Sequence, residues 1–159
     1  MSNTPTIKFD AGLETFNLEF VDKGVVVPIS FNPYDPNLIT RFVSSRDKAI
    51  EMIQKLPNGL NLRPDGSVDE SSEAVEEAAK YVSDVEAAVK NLVDEIFQND
   101  ISDVIFRYCH PLSFNAQGVT SFERFMNAVF PVIKERCDAA QRESAKRIGE
   151  HTGKYKGKK

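Results

Sequence analysis

Cys109 and His110 are the residues whose types first suggest chemistry, a thiol beside an imidazole. Nucleophilic catalysis needs the base to face the sulfur, and a Cys–His pair is normally assembled from distant segments rather than from neighbours. Pro111 follows and pushes His110 out of the α region, so the pair reads as a helix end. The carboxylates are plentiful, but runs such as Glu73, Glu76 and Glu77 describe a solvated helix face. None lies in an apolar context that would raise its pKa for acid–base work. Two cysteines (Cys109, Cys137) and two histidines (His110, His151) have no zinc-ligand spacing. Each cysteine stands in an apolar helical context and is expected to be a buried structural thiol in a reducing compartment. The segment from Gly149 to Gly153-Lys154 lacks the preceding strand and the following Ser/Thr and helix of a phosphate loop. The expectation is no catalytic residue, no cofactor and no metal, hence not an enzyme.

What remains is binding, and the charge is divided in a way that bears on it. From Arg142 onward seven Lys/Arg stand against two acids, so that segment is +5 and the preceding 141 residues are −9 within a net −4. Such a split describes a folded body with an arm that meets something else. The whole is 159 residues, one domain in size, with 41% hydrophobic residues and eleven Phe to build a core. We place one helical domain at 1–141 and a flexible basic tail at 142–159. No apolar run is long enough for a membrane span, and the polar start lacks a signal-peptide layout, so the expected location is the cytoplasm.

The elements follow from periodicity. Phe16, Leu18 and Phe20 alternate with polar residues, Asp22-Lys23-Gly24 makes a turn, and Val25, Val27, Ile29 and Phe31 alternate after it, giving a β-hairpin with one apolar face. Pro28 belongs at an outward edge position. Asp35 and Pro36 suit an N-cap and first helical residue, before a helix with Leu38, Ile39, Phe42, Val43, Ala49, Ile50, Ile53 and Leu56 at helical spacing. The stretch from Pro57 to Ser67 reads as a loop. Ser67-Val68-Asp69-Glu70 matches a capping box for the longest helix, to about Gln98. A short helix is expected from about Ile101 to Tyr108. Thr120-Ser121-Phe122-Glu123 is a second capping box, opening a last helix that Pro131 should kink and Gly149 should end. The fold class is therefore α+β, mainly α: an N-terminal β-hairpin followed by about four helices.

Two surfaces carry the binding expectation. On the longest helix Val75, Ala78, Val82, Val85, Val89, Leu92 and Ile96 step by three and four, an a/d seam of three heptads, opposite a face rich in acids. The competing reading is packing within the same domain, because the other helices must bury their own apolar faces. The partner-binding residues expected from spacing are Val82, Val85, Val89 and Leu92, with Phe122, Phe125 and Val129 on the last helix. The tail residues Lys154, Tyr155, Lys156, Lys158 and Lys159 could make salt-dependent phosphate contacts. The acidic body opposes approach to DNA or RNA, and a protein partner or a second copy suits a basic arm on an acidic body at least as well.

Several segments together resemble a family. They are Phe31-Asn32-Pro33-Tyr34-Asp35 after the hairpin and Asp94-Glu95-Ile96-Phe97 running through Asp100 into Ile101-Ser102-Asp103-Val104-Ile105-Phe106. Two more are Gly118 before an aromatic-rich helix reaching Pro131, and the basic finish Thr152-Gly153-Lys154-Tyr155. In these the chain is similar to the short phage and prophage tail assembly chaperones of Gram-positive hosts. It departs from them at Glu150-His151, where the family has Lys-Tyr, and at Cys109-His110-Pro111.

The resemblance implies a chaperone that coats the helical tape-measure protein, keeps it soluble in the bacterial host cytoplasm, and gives way to tail tube protein. It also implies a longer, frameshifted form and allows a homo-oligomer, with no membrane. The alternatives are a structural component that stays in the virion, and a nucleic-acid-binding regulator using the tail.

Overall fold

The computed structural model describes residues 3–56 and 71–156. Strand β1 (Glu14–Phe20) pairs antiparallel with β2 (Val25–Phe31), Phe16 opposite Ile29 and Leu18 opposite Val27. The connection closes where the Lys23 and Gly24 amides donate to Phe20 O at 3.0 and 2.9 Å, with Gly24 at φ 63°, a conformation that suits glycine. Pro28 is exposed, as its missing N–H requires. The two strands share the apolar load unequally. Val27, Ile29 and Phe31 of β2 are buried, whereas Phe16, Leu18 and Phe20 of β1 are only half-buried.

Helix α1 (Leu38–Gln54) begins two residues later than Asp35 and Pro36 suggest. Its N-cap is Asn37, without a side-chain cap, because Asp35 is engaged in a turn. Asp35 Oδ1 accepts from the Asn37 amide at 2.9 Å and Oδ2 from Arg41 at 2.8 Å. Arg41 Nε in turn donates to Ile96 O at 3.0 Å, which fastens the start of α1 to the end of the next helix. The Arg41 hydrogen bond, followed by the Asn37 amide, holds the Asp35 carboxyl below the usual carboxylate range. A group whose folded pKa is lowered stabilises the fold above its unfolded pKa and loses that contribution as pH falls through the folded one. Wild type should therefore lose stability below about pH 4 by a margin that Asp35→Asn lacks. Urea midpoints of the two proteins across that range check it; parallel curves would remove the Asp35–Arg41 pair from the ledger.

Helix α2 (Ser72–Phe97) has Ser71 at its N-cap, accepting from the Ala74 amide at 3.3 Å. The capping box expected at Ser67–Glu70 lies outside the described residues. Gln98 ends α2 in the left-handed region, φ 53° and ψ 37°, where most side chains are strained. Gln98→Gly should raise stability by about 0.5–1 kcal/mol, net of the lost Gln98 bond to Glu95 O. A thermal melt that moves down instead would show that bond to outweigh the strain.

Helix α3 is four residues, Ser102–Ile105, shorter than the expected span to Tyr108. Asp94 of α2 fixes its start: Oδ1 accepts from the Ile101 and Ser102 amides at 2.9 and 2.8 Å, and Oδ2 from Ser102 Oγ at 2.8 Å. A carboxylate at a helix start satisfies amides that the helix itself cannot, here that of Ser102 and, shared with Asn99 O at 3.0 Å, that of Ile101.

Helix α4 (Ser121–Lys156) opens with the expected capping box. Glu123 Oε2 accepts from the Thr120 amide at 2.8 Å, and the Glu123 amide donates back to Thr120 Oγ1 at 3.2 Å. Pro131 sits inside α4 without ending it. It and Asn127, whose carbonyl loses a partner, both belong to the exposed side, where water serves. The expected end at Gly149 is corrected, since α4 continues to Lys156. A glycine stops a helix by going left-handed. The positive-φ glycines among the described residues are Gly12, Gly24 and Gly118, and Gly149 is not one of them. The basic segment expected to be a loose tail is helical backbone from Arg142 to Lys156, and α4 crosses the expected boundary at 141 unbroken.

One core joins hairpin and helices. Phe31 is its hinge: it stacks on Phe16 (centroids 4.9 Å) and meets Phe97 edge-on (4.8 Å), and Phe97 meets Phe125 (5.9 Å). Among the described residues the result is an N-terminal two-stranded antiparallel hairpin followed by four helices, mainly α with some β.

Candidate functional site

Cys109 and His110 each hydrogen-bond to other residues. His110 Nδ1 accepts from the Leu112 amide at 3.1 Å, which leaves the proton on Nε2, and Nε2 lies 2.9 Å from Glu86 Oε2. Both ring nitrogens are therefore occupied, while Cys109 Sγ turns to Ile105 O at 3.9 Å. Burial pushes the Glu86 carboxyl up, but Lys90 and His110 outweigh it and hold the group below its usual range. Glu86, Lys90 and His110 thus fasten the loop after α3 to α2. Cys137 Sγ donates to Pro33 O at 2.9 Å, and burial, then Asp138 and Asp35, raise the thiol pKa away from reactivity. Among the described residues no three His, Cys, Asp or Glu side chains cluster as metal ligands. No helix among them is long and apolar enough to cross a membrane.

The residues expected at a partner surface divide. Val85 (4% exposed), Val89 (0%), Phe122 (0%), Phe125 (7%) and Val129 (8%) belong to the core of this chain, where the competing reading of packing within the same domain puts them, and not to its exposed surface. Val82 and Leu92 are half-buried at its margin. The heptad reading drifts for a geometric reason. A straight α-helix turns about 20° per heptad against a 3.5-residue repeat, so the buried stripe migrates from Val85 and Val89 to Val93, Ile96 and Phe97, leaving Val75 half exposed. Backbone alone is described for Lys154, Tyr155 and Lys156, in α4, and Lys158 and Lys159 lie outside the described residues.

Apolar depressions lie at the surface formed by the described residues, and two of them adjoin the helices. One is a shallow trough between α1 and α2, floored by Met52, Ala88 and Leu92 and rimmed by Lys48, Lys55 and Glu95. The other runs between β1 and α4, as two adjoining hollows that share Leu18, Phe125 and Ala128. At one end Arg136 reaches Glu14 at 3.1 Å and covers the Phe16 ring at 5.6 Å, while Tyr34 Oη donates to Glu14 Oε2 at 2.6 Å. That bond, with the Glu14 charge, raises the Tyr34 pKa.

No family model, curated protein or solved structure matches the chain. The candidate site consists of apolar surface with charged borders. Spacing pointed to Leu92 but missed Met52, its neighbour across the trough, because Met52 falls between the buried positions Ala49 and Ile53 of α1. The β1–α4 groove was likewise hidden. Alternation marks Phe16, Leu18 and Phe20 as inward-facing, and gives no sign that α4 covers them only in part.

Proposed function

We propose that this chain is a non-enzymatic tail assembly chaperone that holds the helical tape-measure protein in soluble form until tail tube protein replaces it. The observation that supports the reading is the α1–α2 trough. Met52, Ala88 and Leu92 offer an apolar floor between two helices, and Lys48, Lys55 and Glu95 border it with charges of both signs. An amphipathic partner helix lays its apolar face into such a groove, with rim charges setting register. The family resemblance supplies the partner. The occupied ring nitrogens of His110 agree with a protein that binds rather than reacts.

The test is co-expression with the tape-measure protein of the same gene cluster, followed by pull-down and size-exclusion chromatography. A soluble complex with wild type, and recovery reduced at least tenfold with Leu92→Asp or Met52→Asp while each variant stays folded, is the expected result. No association, with the tape-measure protein equally insoluble in both cases, overturns the reading. Mass spectrometry of finished particles would then decide for a virion component.

A further inference from the structure

The chain before β1 is apolar at strand spacing, and its bulky side chains are left exposed among the described residues. Ile7 is 87% exposed, Phe9 85% and Leu13 63%, and Ala11 continues the alternation. Two bulky apolar side chains held almost wholly in water carry an uncompensated hydrophobic cost.

The root of this arm is built. Asp10 Oδ1 accepts from the Gly12 amide at 2.7 Å, and Asn32 Nδ2 donates to Ala11 O at 3.1 Å. Gly12 has φ +81°, and a Cβ there would meet the Asn32 side chain at 3.2 Å. The arm is thus turned at a glycine and pinned to the residue after β2, with Ile7 and Phe9 projecting beyond.

The β1–α4 groove shows the complementary deficit. The sheet has two strands, and among the described residues no hydrogen bond reaches the outward backbone groups of β1. Beside that edge Phe16, Leu18 and Phe20 are half-buried, and α4 presents Ala128, which is exposed, and Val132, which is half-buried. A bare edge with an apolar floor asks for a strand, because a strand alone satisfies the edge and fills alternate side-chain positions together.

We infer that the arm of one copy adds as a strand to β1 of a second copy, with Ile7 and Phe9 over Phe16, Leu18 and Ala128. The proposal is independent of the tape-measure reading, since it uses a different surface. A second copy is the occupant because each chain carries both halves of the interaction, and the pinned root at Asn32 keeps the arm off its own groove. Repetition closes as a reciprocal dimer or continues from copy to copy as a ring or filament.

The experiment is light scattering coupled to size exclusion on the full chain, with two variants at exposed positions. Ile7→Asp/Phe9→Asp disables the arm, and Ala128→Glu places a charge in the groove. Wild type should self-associate, and each variant alone should run at the monomer mass with an unchanged far-UV spectrum. Mixed, the two should form a one-to-one heterodimer, because the Ala128→Glu chain keeps its arm and the other keeps its groove. Monomeric wild type would overturn the proposal, including the case in which the arm folds onto its own chain. So would association that survives the arm substitutions, or a mixture that stays monomeric while wild type associates.

Discussion

Phe31→Ala should cost about 3–5 kcal/mol, out of the 5–15 kcal/mol by which a domain is stable. Phe31 is 0% exposed, and its ring joins two parts of the fold directly and a third through a neighbour. Its ring stacks on Phe16 of β1 and meets Phe97 at the end of α2, and through Phe97 it connects to Phe125 of α4. An isolated two-stranded hairpin is marginal in water, so the hairpin depends on the buried row Val27, Ile29 and Phe31. Alanine would leave a cavity under both strands and remove two aromatic contacts, each worth about 0.5–1.5 kcal/mol beyond area burial. Val26 on the same strand is 54% exposed, and Val26→Ala should stay within about 0.5 kcal/mol. The check is the urea midpoint of both variants. A Phe31→Ala loss below about 1 kcal/mol would mean that the hairpin is not held by this core.

The hairpin was legible because two signals agree on it. Alternation assigns Phe16, Leu18, Phe20, Val27, Ile29 and Phe31 to one face, and Gly24 supplies the positive φ that the loop uses. The start of α4 was legible because Thr120 and Glu123 are local to each other and their reciprocal bonds do not depend on the rest of the fold. Where a local preference competes with a distant partner, the sequence misleads. Asp35 is a good cap by type, yet Arg41 draws its carboxylate into a pair that also reaches Ile96 O. Gly149 is a good stop by type, yet its φ remains ordinary and α4 passes through it. The surface was least legible of all. Periodicity says which residues share a face, and whether α4 covers all of β1 is a question of tertiary geometry.

Val85→Asp and Leu92→Asp should behave differently although both lie on the α2 seam. Val85 is 4% exposed within the core cluster, while Leu92 is half-buried at the trough. A carboxylate at Val85 would lose its hydration without gaining a cation, at a cost of several kcal/mol, enough to unfold the chain near neutral pH. The new carboxyl would have a folded pKa above its unfolded value, so its deficit against wild type should shrink as pH falls through that raised pKa. At Leu92 the carboxylate can turn to water, and the cost should be ~1 kcal/mol. Circular dichroism and urea midpoints separate the outcomes before any binding is measured. Partner binding lost together with the fold in Val85→Asp says nothing of an interface, whereas binding lost in a folded Leu92→Asp locates one. A Val85→Asp protein that folds with an unchanged midpoint would put Val85 outside the core and return the whole α2 seam to the partner.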